Sequence, residues 1–252
     1  MLRIVLALAC VALASAPAAP PDDRFDANGV SLHYITLGTG DPVVLIHGLY
    51  SSEKRNWELP GIVKRLATRY EVIAPDMPGH GQSDKPDRAD AYGLTMVDDV
   101  VRLLDHLKIK KAHVVGYSMG GMIVMKLLAT HPDRVASAFV GGMGWMREGS
   151  FLADFWERLQ GGGRGQTPAV CAQNLGKLAL SAGELQSIRV PTMIIVGSKD
   201  PVRQLFVEPL RQARPDIPVV VVQDAGHMDC VLSLEFKDAL EQWLRQQTAA
   251  TQ

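Results

Sequence analysis

The pentapeptide Gly116-Tyr117-Ser118-Met119-Gly120 constrains this chain more than any other segment. An apolar run at 112–115 precedes it, and an apolar, helix-forming stretch at 122–129 follows. G-x-S-x-G in that setting is the pattern of a sharp strand-to-helix turn. The turn forces its central residue into a strained backbone conformation and exposes the hydroxyl. The flanking glycines keep side chains from clashing inside it. The helix beneath Ser118 adds free N–H groups and the positive end of its dipole. Taken alone, the five residues also fit a tight turn with an inert serine.

A turn of this kind belongs to a parallel sheet, and the rest of the chain supplies the other strands. Strand-like runs fall at 24–27, 31–37, 42–47, 71–75, 135–140, 191–196 and 218–222. Helical periodicity falls between them at 57–68, 95–107, 122–129, 202–214 and 232–246. Asn28-Gly29 is a two-residue hairpin signal joining the first two strands. Several later strands are continuously apolar, as strands covered on both faces must be. The expected fold is therefore α/β. It has a mostly parallel eight-stranded sheet, helices on both faces and an antiparallel hairpin at one edge. A length of 252 residues suits one such domain, over 19–252, and no internal repeat divides it. Only 142–189 breaks the alternation. It contains Phe151, Phe155 and Trp156 and then the triple glycine 161–163, and it reads as a short cap.

Residues 1–18 read as a signal peptide. Arg3 is followed by the apolar run 4–13, too short to span a bilayer, and then by small residues with Ala16-Pro17-Ala18 as the cleavage motif. An uncleaved anchor is the alternative. Export to the periplasm or the outside of the cell follows, with no stable membrane span after processing. The remaining cysteines, Cys171 and Cys230, are read as buried free thiols, although an oxidising compartment would permit a bond. With 26 Lys and Arg against 27 Asp and Glu, the chain has no basic footprint for nucleic acid. No metal-ligand cluster and no cofactor motif stands out. Oligomeric state is not written in the sequence.

A serine hydroxyl needs a base, and the base needs an orienting acid. In open α/β sheets these groups gather beyond the carboxyl ends of the strands. His227 follows the last strand and precedes the last helix, so it is the candidate base. His47, His80 and His131 fall at turn or helix-end positions, and His33, His106 and His113 in ordinary strand or helix positions; these six read as structural. Asp200 follows the strand at 191–196, whereas the position after Val140 offers only Gly141 and Gly142. Asp76 sits in a Pro- and Gly-rich loop, and Asp224 and Asp229 flank His227 closely, so all three read as loop-pinning groups. The chain order Ser118, Asp200, His227 suits a nucleophile–acid–base set. Attack on a carbonyl also needs two preorganised donors. The Met119 amide is one, and the Leu49 amide, after the first buried strand, is the candidate for the other.

On these residues the chain resembles the α/β-hydrolase superfamily. The matching segments are the strand ending in His47-Gly48, the D-x-x-G-x-G-x-S stretch 76–83, Gly116–Gly121, 197–201 and 225–227. The resemblance spans about 31 to 244. It implies Ser118 as nucleophile, Asp200 as acid, His227 as base, and the Leu49 and Met119 amides as oxyanion hole. Related dehalogenases and epoxide hydrolases carry Asp at the elbow, and Ser118 argues against both. The resemblance implies a secreted serine hydrolase of carboxylic esters, with a small-molecule ester as partner and no cofactor. Lactone hydrolysis, C–C bond hydrolysis and cofactor-free perhydrolysis use the same triad and stay open. A non-catalytic binding module is the reading from another class. The cap is shorter than in many relatives. Its aromatics Phe151, Phe155 and Trp156, with Tyr50, either face the substrate pocket or fasten the cap to the body.

Overall fold

The computed structural model describes residues 22–158 and 163–249. The proposed signal peptide at 1–18 and glycines 161 and 162 lie outside those residues. Eight strands form one sheet in the order β1-β2-β4-β3-β5-β6-β7-β8. They are β1 (Asp22–Asp26), β2 (Ser31–Leu37), β3 (Asp41–Ile46), β4 (Tyr70–Pro75), β5 (Ala112–Tyr117), β6 (Val135–Gly141), β7 (Thr192–Gly197) and β8 (Val219–Val222). The pairs β1–β2 and β2–β4 are antiparallel, and every pair from β4 through β8 is parallel. Asn28 and Gly29 both have positive φ, 57° and 82°, as a tight hairpin turn with right-handed strands requires.

Among the described residues the α-helices are α1 (Ile62–Leu66), α2 (Leu94–His106), α3 (Met119–Thr130), α4 (Phe151–Glu157), α5 (Ala169–Gln173), α6 (Ala182–Ser187), α7 (Glu208–Ala213) and α8 (Leu234–Ala249). Strand side chains alternate between faces, so the sheet separates two cores. Val44, Ile46, Val114, Val140 and Ile194 pack with α2 and α3 on one side. Val43, Leu45, Val115, Phe139 and Ile195 pack with α1 and α8 on the other. Cys171 belongs to the first core and Cys230 to the second; both are buried free thiols, and the sheet lies between them.

Two expected helices differ from the sequence reading. The one at 57–68 is a π-helical turn at Lys54–Glu58, a break, and then α1. Gly61 has a φ of +80° there, and Leu59 is exposed. The other, at 202–214, opens with a π-helical turn at Arg203–Val207 before α7. Pro209 has no N–H to give to Leu205, so the usual bond four residues back cannot form at that point.

The cap is held to the body by specific bonds. Ser181 and Glu184 form a reciprocal capping box at the start of α6. The same Glu184 accepts from Lys126 of α3 at 2.5 Å, and Lys126 also donates to the Ala179 carbonyl. Within the cap, Trp145 Nε1 donates to the Leu180 carbonyl at 2.9 Å.

Candidate active site

The turn between β5 and α3 has the strain its sequence predicts. Ser118 has φ 54° and ψ −113°, a region L-residues rarely occupy. Its glycines are required by space. A Cβ on Gly116 would lie 2.2 Å from the Gly120 carbonyl oxygen, and one on Gly120 would lie 2.0 Å from that of Ile46. The chain therefore folds back against β3 only because both side chains are missing.

Three loops beyond the carboxyl ends of β5, β7 and β8 bring the predicted residues together. His227 Nε2 is 2.9 Å from Ser118 Oγ, and His227 Nδ1 is 2.7 Å from Asp200 Oδ2. An ionised carboxylate only accepts, so Nδ1 carries the proton and Nε2 is left to accept from the serine. Asp200 is buried, and its other oxygen accepts the Val202 amide at 2.9 Å. The β7 and β8 loops are tied to each other by Ser198 N to Val222 O, 2.8 Å, and Lys199 N to Ala225 O, 2.9 Å. Those bonds hold the acid against the imidazole.

The two amides expected as oxyanion donors are both available. Among the described residues neither Leu49 N–H nor Met119 N–H has a protein acceptor. His47 explains the first. It is fully buried, with Nε2 accepting from Met77 N at 3.0 Å and Nδ1 donating to the Gly48 carbonyl at 2.8 Å. Burial pushes its pKa down and keeps the ring neutral, as that bonding requires. The Gly48 carbonyl and the Leu49 N–H belong to one planar trans peptide and point opposite ways. Fixing the carbonyl therefore fixes the direction of the donor. Asn56 Oδ1 takes the Gly48 N–H at 3.0 Å and completes the loop.

Asp76 is the brace expected of it. Its Oδ2 accepts from His33 Nδ1 and from Gln82 N, each at 2.8 Å, and its Oδ1 accepts from Glu53 N at 2.9 Å. Burial opposes its charge, but the His33 bond and the neighbouring imidazole and amides outweigh this and hold its pKa at about 2. His33, Glu53 and Asp76 each bring a ligand atom within 4.8 Å of the others. Both Asp76 oxygens already serve protein hydrogens, so a cation would have to break the bonds that shape this loop.

Ser118 faces two hollows. A cleft of about 780 Å³ is lined in part by Leu49, Tyr50, Asn56, Tyr117 and His227. A pocket of about 140 Å³ runs under the cap between Met122, Met143, Trp156, Leu175 and Phe206. Tyr50 and Trp156 are thus at the site. Phe151 and Phe155 are not: they are 73% and 44% exposed and line neither hollow. The reason is helical spacing. Leu152 and Trp156, one turn apart on α4, pack on the core with Ala153 between them, which turns the equally spaced Phe151 and Phe155 outward.

Sequence reasoning missed Tyr117. Its hydroxyl donates to the His227 carbonyl at 2.5 Å, and its ring lies 5.6 Å from the imidazole and 5.8 Å from Phe236. The residue before the elbow serine therefore holds the backbone of the residue after β8. Only its neighbour Ser118 hinted at this.

The residues 41–182 match the alpha/beta hydrolase fold family, and the chain belongs to that family. It is 30% identical over 259 residues to the dihydrolipoyllysine-residue acetyltransferase component of the acetoin cleaving system of Pseudomonas putida, covering 83% of this chain and 65% of that protein. It is 36% identical over 113 residues to a soluble epoxide hydrolase of a Corynebacterium strain, covering 45% of this chain and 38% of that one. The chain thus spans from under two fifths to just under two thirds of these relatives. A solved carboxylesterase structure from Nitrososphaera gargenis superposes with a TM-score of 0.75 at 22% identity, over 91% of this chain and all of that one, which shows the shared fold.

Proposed function

We propose that this protein is a serine hydrolase of carboxylic esters, with Ser118 as nucleophile, His227 as general base and Asp200 as its orienting acid. The observation that carries the reading is the unbroken chain from Ser118 Oγ through His227 to Asp200, with two amides that have no protein acceptor among the described residues. His227 Nε2 takes the serine proton as Oγ adds to the ester carbonyl. The oxygen that becomes negative is received by the Leu49 and Met119 N–H groups and the N-terminus of α3. His227 then passes its proton to the departing alcohol. Water attacks the acyl-enzyme by the same route and frees Ser118.

The 140 Å³ pocket under Trp156 favours a short apolar group beside the reacting carbonyl. Serine at the elbow, in place of aspartate, favours ester chemistry over epoxide opening. The leader at 1–18 supports export, with the reaction in the periplasm or outside the cell. Turnover of short p-nitrophenyl esters tests the proposal. Ser118→Ala is expected to lower kcat by about a thousandfold or more. Turnover that survives this change would remove Ser118 from the mechanism.

A further inference from the structure

The two hollows beside Ser118 differ in charge. Among the described residues, no Arg, Lys, Asp or Glu lines the pocket under the cap. The larger cleft carries Arg55 and Arg164 on its wall and no carboxylate. The arginines come from separate parts of the fold. Arg55 is on the π-helical turn that follows the Leu49 loop, and Arg164 is in the cap segment before α5.

Neither guanidinium has an acidic partner within 4.0 Å among the described residues. Arg65, Arg102, Arg134, Arg203, Arg214 and Arg245 all sit in ion pairs. Arg24, Arg69, Arg147 and Arg189 are also without an ion pair among the described residues, so what sets Arg55 and Arg164 apart is that they line one concavity beside Ser118 that no described carboxylate lines. Two positive charges in a concave site with no counter-charge draw an anion and raise its local concentration. A guanidinium fork matches the two oxygens of a carboxylate bidentately.

We infer that the cleft selects esters bearing a second, ionised carboxylate, held by Arg55 and Arg164 while the uncharged end enters the pocket under Trp156. The inference rests on the reading of Ser118 as the nucleophile.

Isosteric ester pairs test it. Monomethyl succinate is compared with methyl 4-methylpentanoate, which places the charge on the acyl side. The acetate ester of 3-hydroxypropanoate is compared with 3-methylbutyl acetate, which places it on the alcohol side. In at least one pair kcat/KM is expected to favour the anion by about tenfold or more. The preference should fall about tenfold in Arg55→Gln and in Arg164→Gln, mainly through KM, and return in part in Arg164→Lys. Added salt should weaken it. The pair that responds identifies the side of the scissile bond that carries the charge. Equal turnover within both pairs, unmoved by either substitution, overturns the inference and leaves ester hydrolysis standing. Should no ester turn over, the ester reading fails, and calorimetric binding of monomethyl succinate to Ser118→Ala protein decides the anion site alone. Affinity that Arg164→Gln removes supports the site, and an absence of binding overturns it.

Discussion

At the residue scale the site depends on groups that never touch substrate. His47 fixes the peptide that aims the Leu49 N–H, and Asp76 fixes the strand end and the loop beside it. Glu53 is the costly member of this set. Burial first, and the Asp76 charge second, raise its carboxyl pKa to about 7, and its Oε2 has no partner. The folded state therefore holds this proton more tightly than the unfolded chain does. The stability it supplies is complete below about pH 4.5 and is lost as pH rises through about 7. His33 faces the same carboxyl. Burial lowers its pKa, but the Asp76 bond and charge, with smaller contributions from Asp22 and Glu53, raise it by more, so the part owed to Glu53 is lost with that charge in the variant. Glu53→Gln should gain on the wild type by about 1–3 kcal/mol between pH 5 and pH 8 in urea unfolding. A difference that is the same at both values would contradict the assigned burial of charge. The role of Glu53 was not legible in the sequence, where it is an ordinary acidic residue in a loop. Ser118, Asp200 and His227 were legible because each follows the carboxyl end of a strand. Tyr117 was not, because its partner is 110 residues away in the chain.

At the scale of elements, strands were read more closely than helices. A strand buried on both faces leaves a continuous apolar run with sharp ends, and β2 was placed to the residue. Helix interiors were recovered for α2 and α3, but local backbone chemistry at Gly61 and Pro209 cut two helices in ways periodicity does not record. The cap shows a related limit. The sequence put Phe151, Phe155 and Trp156 in a short cap, but it could not say which of them face the site. The structure turns Trp156 inward and the phenylalanines outward. Trp156→Ala should enlarge the small pocket and move the preferred acyl chain upward by several carbons. Phe151→Ala should leave chain-length preference where it is. A panel of p-nitrophenyl esters from acetate to decanoate reads both. Equal shifts from the two variants would mean that α4 presents its other face to substrate.

At the scale of the whole molecule, one sheet carries both stability and chemistry. Its two faces hold separate cores, and its carboxyl edge collects Ser118, Asp200 and His227 from three different loops. The separation also settles the cysteines. Burial pushes both thiols up to about 12, and the sheet stands between them, so a bond would require unfolding rather than a loop movement. The class of fold was legible from the alternation of strands and helices, because that pattern admits few other layered arrangements. The identity of the substrate was not, because it depends on which cap and loop side chains meet over Ser118. The central claim, that Ser118 is an activated nucleophile, is tested most directly by a fluorophosphonate probe followed by intact-mass and peptide mass spectrometry. The account predicts a single adduct on Ser118, absent in Ser118→Ala and formed far more slowly in His227→Ala. No adduct on the folded protein, or an adduct on another residue, would contradict it.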